Sequence, residues 1–202
     1  MSSDGRALYF VRGTTYRDGR QLASPDYHDI YTSTLGEDGV WGKPEKLDKT
    51  INTPGREVSA FIHPDGRTLY FSSNGHPGMG GEDIFMAQKQ ADGSWSTPKN
   101  LGYPINTADN ENSILVSPDG DLAFFASDKE GGYGDLDLYY YTLPEHARPA
   151  KISYLQGSIY DEDTQRSLSA RFQLYDLETG ELVVESYSNP GTGEFLLSLI
   201  HI

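Results

Sequence analysis

The chain has 202 residues and no cysteine. Disulfides, thiolate catalysis and Cys-ligated metals are excluded. The compartment stays open, because a disulfide-free chain can exist on either side of a membrane. No apolar run approaches the roughly 20 residues of a membrane-spanning helix, and no convincing amphipathic helix of about ten residues can be read anywhere. Positive charge is scarce: 16 Lys and Arg stand against 30 Asp and Glu, a formal net charge of −14. Such a surface repels phosphate backbones, which argues against nucleic acid as a partner. The plainer meaning of the charge is solubility. The start, Met1-Ser2-Ser3-Asp4, lacks the basic-then-apolar pattern of a signal peptide.

What the chain does have is a repeat. Asp29-Ile30-Tyr31 returns as Asp83-Ile84-Phe85 and again as Asp137-Leu138-Tyr139, 54 residues apart each time. Trp41 returns as Trp95, Pro44 as Pro98, Leu47 as Leu101, and Ile51-Asn52-Thr53 as Ile105-Asn106-Thr107. A second landmark, Asp4-Gly5-Arg6-Ala7-Leu8-Tyr9-Phe10, recurs as Asp65-Gly66-Arg67-Thr68-Leu69-Tyr70-Phe71 and as Asp119-Gly120-Asp121-Leu122-Ala123-Phe124-Phe125. A period of this size marks stacked supersecondary units. Frequent Gly and Pro suit short strands and turns.

The middle copy reads as four strands. Glu57 to Ile62 is the first, and Pro64-Asp65-Gly66 turns the chain into a second at Thr68 to Ser73. Leu69-Tyr70-Phe71 is apolar on consecutive positions, so both faces of that sheet must be buried. Asn74 to Glu82 is a Gly-rich loop. Asp83 to Lys89 is the third strand, Asp92-Gly93 a hairpin turn, and Trp95 to Leu101 the fourth strand, where Pro98 is tolerable on a free edge. Four antiparallel strands with two apolar faces describe a β-propeller blade. Tyr9, Tyr70 and Phe124, with Phe10, Phe71 and Phe125, are expected to fill the layers between blades.

The first copy enters at its second strand. Its following loop, Arg12 to Tyr27, is longer than its counterpart: Asp4 to Asp29 spans 25 positions, whereas Asp65 to Asp83 spans 18. The third copy supplies strands one to three over Asn112 to Tyr141, and Leu143 to Pro149 then leads away. The expectation is all-β: about three blades of a partial propeller over 1–148, first and last incomplete, then a partial β-sandwich over 149–202. In the second module, strands are expected at Leu155 to Tyr160, Leu168 to Tyr175, Glu181 to Tyr187 and Glu194 to Leu199. On this reading the chain is a fragment. The remaining blades, and the strand closing the ring, lie before Met1, and further sandwich strands follow. Exposed blade faces and edges are then expected to drive self-association.

The stretches LYFSSNGHPGMGGEDIF, DGSWSTPKNLGYPINT and SPDGDLAFFASDKEGGYGDLDLY closely resemble the TolB-type, WD40-like propeller repeat, in the version found in OmpA-family envelope proteins of Bacteroidetes-type bacteria. The segment SYLQGSIYDEDTQRSLSARFQLYDLETGELVVESYSNPGTGEFLLSL resembles the carboxypeptidase regulatory-like domain that follows the propeller in those proteins. The combination covers nearly the whole chain. It implies a periplasmic, outer-membrane-associated protein, with one group tied to the type IX secretion apparatus. The partners implied are envelope or secretion-apparatus proteins. Peptidoglycan would be reached only through a domain absent from this sequence. The final Leu199-Ile200-His201-Ile202 departs from the pattern.

Chemistry is sparse. The five histidines, His28, His63, His76, His146 and His201, include no pair at metal-ligand spacing. His76 stands in the Gly-rich loop, where a solvated histidine is the plainer reading. No G-x-S-x-G elbow and no H-E-x-x-H motif is present. The turns ending in Trp41 and Trp95 resemble sialidase Asp-boxes with the wrong spacing, and read better as hairpins with an aromatic anchor. Asp161-Glu162-Asp163 and Asp176 match no EF-hand loop and read as solvated turns. Asp29, Asp83 and Asp137 occur in every copy, whereas a catalytic group is needed once. They are expected to accept N–H bonds from the preceding Gly-rich turn, with Asn52 and Asn106 acting similarly between blades.

No catalytic residue, metal ligand or cofactor is therefore expected. Long loops gather on one face of the propeller, where binding usually sits; Asn74, His76, Glu82, Asn106 and Lys129 are the candidate contacts. Trp41, Trp95, Tyr70, Phe71 and Phe124, with the three aspartates, are expected to be structural. The expected function is a non-catalytic envelope scaffold or interaction module. The alternatives are a periplasmic hydrolase acting on peptide or glycan, and a glycan-binding propeller.

Overall fold

The computed structural model describes residues 1–13, 16–17, 20–21, 28–36 and 38–200. Residues 14–15, 18–19 and 22–27, within the loop expected from Arg12 to Tyr27, lie outside the described residues, as do Glu37, His201 and Ile202. The chain divides into two compact units, Met1–Lys151 and Ile152–Ile202.

In chain order the strands are β1 (Ala7–Arg12), β2 (Tyr16–Arg17), β3 (Arg20–Gln21), β4 (Asp29–Thr34), β5 (Glu45–Lys46), β6 (Glu57–Ile62), β7 (Thr68–Ser73), β8 (Asp83–Gln88), β9 (Lys99–Asn100), β10 (Glu111–Val116), β11 (Leu122–Ser127), β12 (Asp137–Thr142), β13 (Ile152–Ser158), β14 (Arg171–Tyr175), β15 (Leu182–Tyr187) and β16 (Glu194–Ile200). The first unit holds three blade sheets in the orders β1-β4-β5, β6-β7-β8-β9 and β10-β11-β12. All their pairings are antiparallel. The protein is all-β: a partial propeller whose first and third blades carry three strands, followed by a partial sandwich.

Burial explains the order. Every residue of β7 is buried, Leu69, Tyr70 and Phe71 completely. Leu69, Phe71, Phe85 and Ala87 share one core with Ile30 and Ile51 of the first blade, packed by Tyr9 and Val11. Tyr70, Ile84 and Met86 share the other core with Ile114, Val116, Ala123 and Phe125 of the third. The period of two along β7 therefore deals its side chains alternately to the two neighbours. One motif recurs in each blade: a stacked ring pair across strands two and three. Its members are Phe10–Tyr31, Phe71–Phe85 and Phe125–Tyr139, with centroids 6.2, 5.9 and 6.1 Å apart.

Two expectations need correction. The fourth strand is not continuous from Trp95 to Leu101. Only Lys99 and Asn100 pair with β8, and Trp95 makes a single bridge to Lys89. Instead of lying flat as strand, Trp95 packs edge-on against Tyr9 of the preceding blade, 6.2 Å away. Nor does Leu143 to Pro149 lead away. Leu143 and Ala147 are fully buried in the core between the second and third blades. The Tyr70 hydroxyl donates to Ala147 O at 2.7 Å, and Ala150 N donates to Asp65 Oδ2 at 3.2 Å. Burial pushes the Tyr70 hydroxyl far above its ordinary pKa, so it remains a donor.

In the second unit β13 pairs with β16 and β14 with β15. Phe172 of β14 meets Phe195 of β16 at 4.6 Å, joining the two sheets. Asp161 and Asp176 each accept backbone and threonine hydroxyl bonds within their own turns, which holds both carboxyls below the ordinary range.

Because Phe71 is sealed between two blades, its ring has no route to water. Phe71→Ala is expected to cost about 3–5 kcal/mol, measured as a shift in the urea unfolding midpoint. A change below about 1 kcal/mol, inside the range of surface substitutions, would contradict the packing.

Candidate functional site

The candidate site is the face bearing the long loops that join strand two to strand three and one blade to the next. Its construction begins with the repeated aspartates. Asp83 Oδ2 accepts from Met79 N at 2.9 Å and Gly80 N at 3.1 Å. Asp137 Oδ2 accepts from Tyr133 N at 2.5 Å and Gly134 N at 3.4 Å. Each carboxylate thus fixes the tip of the loop before its strand. The glycines are required for closeness. A Cβ on Gly78 would stand 1.9 Å from Asp83 Oδ2, and one on Gly132 would stand 2.1 Å from Asp137 Oδ2. Asp29, whose loop lies largely outside the described residues, pairs with Lys46 Nζ at 2.8 Å.

The blade-to-blade linkers use asparagine as a backbone mimic. Asn52 Oδ1 accepts from Ile30 N at 2.7 Å while its Nδ2 donates to Ile30 O and Leu47 O at 3.0 and 2.8 Å. Asn106 Oδ1 accepts from Ile84 N at 2.8 Å, and its Nδ2 donates to Ile84 O and Asn100 Oδ1 at 2.8 and 2.7 Å. A side-chain amide presents one donor edge and one acceptor, as the backbone of a neighbouring strand would. It continues the ladder where the short fourth strand has ended.

Two buried glutamates, not anticipated from the sequence, complete each linker. Glu57 accepts from the Thr53 hydroxyl at 2.8 Å, Thr53 N at 3.2 Å and the Ser73 hydroxyl at 2.9 Å. Glu111 accepts from the Thr107 hydroxyl at 2.6 Å, Thr107 N at 2.9 Å and the Ser127 hydroxyl at 2.9 Å. Both are fully buried. The signal was present as a glutamate five positions after Asn52 and after Asn106. Burial pushes the Glu57 carboxyl above its ordinary value, the Thr53 and Ser73 bonds offsetting only part of it.

The five candidate contacts therefore do unequal things. Asn74 is exposed, and its Oδ1 accepts from Arg56 N at 2.8 Å. Glu82, mostly buried, pairs with Arg56 Nη2 at 2.8 Å. Asn106 is fully buried in the linker. His76 is not a solvated loop residue. Its Nε2 meets Ile51 O at 2.9 Å, and its ring lies 5.7 and 5.2 Å from those of Phe71 and Phe85. Lys129 Nζ sits 3.7 Å from the Tyr139 centroid and 3.3 Å from the Tyr141 hydroxyl. His76 and Lys129 thus cap the stacked ring pairs of their blades. Among the structural residues, Trp95 is buried but Trp41 is 41% exposed, and Phe124 is only half-buried.

The loop tips carry what the sequence reading missed. Met79 is 51% and Tyr133 fully exposed, at equivalent positions 54 residues apart. Both follow a glycine and precede one, and G-M-G with G-Y-G at the repeat period was the available signal. Tyr103, in the linker loop, is 79% exposed. Among the described residues no group of three or more His, Asp or Glu is placed to hold a metal ion.

On the opposite side, at the strand-one-to-two turn, His63 and Asp65 form a buried pair. The His63 ring is oriented by two bonds: Nδ1 accepts Asp65 N–H at 3.1 Å, and Nε2 meets Ser117 O at 3.1 Å across the blade boundary. Asp65 accepts from Arg67 N, Thr68 N and the Thr68 hydroxyl at 2.9, 2.8 and 2.6 Å. Burial is the largest single influence and raises its pKa, but the hydrogen bonds together outweigh it and hold the carboxyl below its ordinary value. His63 Nδ1 also lies 3.5 Å from Asp65 Oδ1. An ion pair there would need a proton on the nitrogen that already accepts Asp65 N–H, so the Thr68 and Arg67 donors carry the effect.

Fold and site together define a class: a partial β-propeller with a small β-sandwich, whose recurring polar residues serve the blade boundaries. Set against protein-family models and against curated proteins, the sequence matches none.

The sign of the pH dependence follows. Asp65 is depressed, so its contribution is in place above the ordinary value of 3.8 and is lost as pH falls through the folded value. Glu57 is raised, so its contribution is present below 4.5 and lost as pH rises through the folded value. Asp65→Asn is expected to cost about 1–3 kcal/mol at neutral pH. It should also flatten the loss of stability between about pH 5 and pH 2 relative to the parent. Urea midpoints across that range check it; parallel curves would refute the assignment.

Proposed function

We propose that this chain is a non-catalytic interaction module of the bacterial cell envelope, belonging to the TolB-type propeller and carboxypeptidase regulatory-like arrangement its sequence resembles. On this reading it works in the periplasm beside the outer membrane, as part of an OmpA-family protein of the kind linked to type IX secretion. Its partners are envelope or secretion-apparatus proteins, and peptidoglycan is bound only by a domain outside this sequence.

The observation that carries the reading is the pair Met79 and Tyr133. Two large apolar side chains stand in water at equivalent loop tips, each with its backbone N–H held by a buried or half-buried aspartate. Presenting apolar groups from tips tethered by a rigid scaffold lowers the ordering cost of binding. Exposed Met and Tyr are also favoured residue types at protein interfaces. The carboxylates that could have served acid–base chemistry, Glu57, Asp65, Asp83 and Glu111, accept bonds from the scaffold's own backbone and hydroxyl groups, which favours scaffolding over hydrolysis.

The test immobilises the parent chain and a Met79→Asp/Tyr133→Asp variant and exposes both to an envelope extract of the source bacterium. A specific envelope protein should be retained by the parent and fall about tenfold or more on the variant, with the urea midpoint unchanged. Equal retention removes the loop-tip reading. Turnover of a peptide or glycan library by the parent removes the non-catalytic one.

A further inference from the structure

In the second blade, Asp83 Oδ1 and Asn100 Nδ2 are buried and have no hydrogen-bond partner among the described residues. The other polar atoms of both side chains are engaged. Asp83 is 1% exposed, and its Oδ2 accepts from Met79 N and Gly80 N. Asn100 Oδ1 accepts from Gly102 N at 2.8 Å and from Asn106 Nδ2 at 2.7 Å. Two donors on that oxygen fix the orientation of the amide, because a flipped amide would set its NH2 group against them. Nδ2 is therefore a donor in need of an acceptor, and Asp83 Oδ1 an acceptor in need of a donor. Leaving either buried and unmade is costly.

The first blade shows what belongs between them. Asp29 and Lys46 stand 54 residues before Asp83 and Asn100. Lys46 lies opposite Tyr31 in the ladder, and Asn100 lies opposite Phe85. Each aspartate precedes that aromatic residue by two positions, so each pair is a diagonal across strands three and four on one face of its sheet. In the first blade the diagonal closes directly, with Lys46 Nζ on Asp29 Oδ1 at 2.8 Å. Asparagine is two atoms shorter than lysine between Cβ and the terminal nitrogen, so the same diagonal in the second blade stays open.

We propose that one buried water molecule occupies this diagonal, accepting from Asn100 Nδ2 and donating to Asp83 Oδ1. Water supplies both roles from one centre, and it commonly serves polar groups that a fold buries without partners. A metal cation would suit the carboxylate alone, since the amide turns hydrogens toward the same space. An anion would suit only the amide. The site bears on the loop face because of what each side chain holds. Asp83 fixes the loop tip that presents Met79. Asn100 fixes Gly102, beside the exposed Tyr103, and the linker's Asn106. The water joins the two tethers, so the tip and the linker loop are set relative to each other. This inference rests on the orphaned atoms and the repeat register, and is independent of whether Met79 touches a partner.

Two measurements on the full parent chain decide the matter whether or not any variant folds. Diffraction at a resolution that shows ordered water should give one peak within hydrogen-bond distance of both Asp83 Oδ1 and Asn100 Nδ2. In solution, the Asn100 side-chain NH2 should show an Overhauser contact to a water held longer than the tumbling time. Two variants then test the link to the loop tip by amide hydrogen exchange. Asn100→Lys should expel the water, with Nζ taking the place on Asp83 that Lys46 has on Asp29. Asn106 Nδ2 should then turn to Leu101 O, as Asn52 Nδ2 does to Leu47 O, and exchange at Met79 and Gly80 should stay at the parent rate. Asn100→Asp keeps an acceptor for Gly102 and Asn106 but removes the donor. It should quicken exchange at Met79 and Gly80 by about tenfold. A direct bond between Asn100 and Asp83, a metal ion in the peak, no Overhauser contact, or parental exchange in Asn100→Asp would each overturn the proposal.

Discussion

A sheet that is apolar on consecutive residues has no face to give to water, and β7 with its neighbours is such a sheet. Burying one large apolar side chain is worth roughly 1.5–3 kcal/mol, and the middle blade buries Leu69, Tyr70, Phe71, Ile84, Phe85 and Met86 together. None of that is available to a blade standing alone. Everything else in the first unit follows from the need for neighbours: side chains shared alternately between two cores, the ring pair repeated in each blade, and a tryptophan that leaves its own strand to reach the blade before it.

The polar side of the same constraint is solved at the boundaries. A fourth strand only two residues long leaves backbone groups of the third strand without a ladder, and in a closely packed seam water cannot serve them. Asn52 and Asn106 supply the missing donor and acceptor. Glu57, Glu111 and Asp83 then gather the N–H and hydroxyl groups of the linkers and loop tips. Hydrogen bonds from these groups hold the carboxylates. Their recurrence at the repeat period is what a structural role requires, and a single reaction centre would not need them twice.

This arrangement leaves function to whatever the scaffold exposes. The long loops that the structure describes, which composition suggested were open, are largely consumed. Their glycines admit a carboxylate at close range, His76 and Lys129 cover aromatic rings, and Glu82 is tied to Arg56. Among the described residues of these loops, large side chains that remain available are Met79, Tyr133 and Tyr103. A scaffold built this way holds the backbones of its loop tips at positions fixed by buried or half-buried acids.

Much of this was legible in the residues. The 54-residue period, the alternation along the strands and the Asp-Gly turns determined the all-β class and the placing of the strands, and they pointed to the loop-tip bonds that Asp83 and Asp137 accept, because those depend on local geometry and on which faces must be dry. The second unit's strands were legible for the same reason, to within a few residues at their ends. What only the tertiary structure decided is where each side chain's partner lies across a boundary. Nothing local distinguishes His76, packed on Phe71 and Phe85, from a solvated loop histidine. Nothing local shows that Glu57 closes on Ser73, that Leu143 to Pro149 folds back over a seam, or that Trp95 is covered while Trp41 stands half open. Those outcomes depend on which blade is next door, a long-range fact that a sequence states only through the neighbour's own pattern.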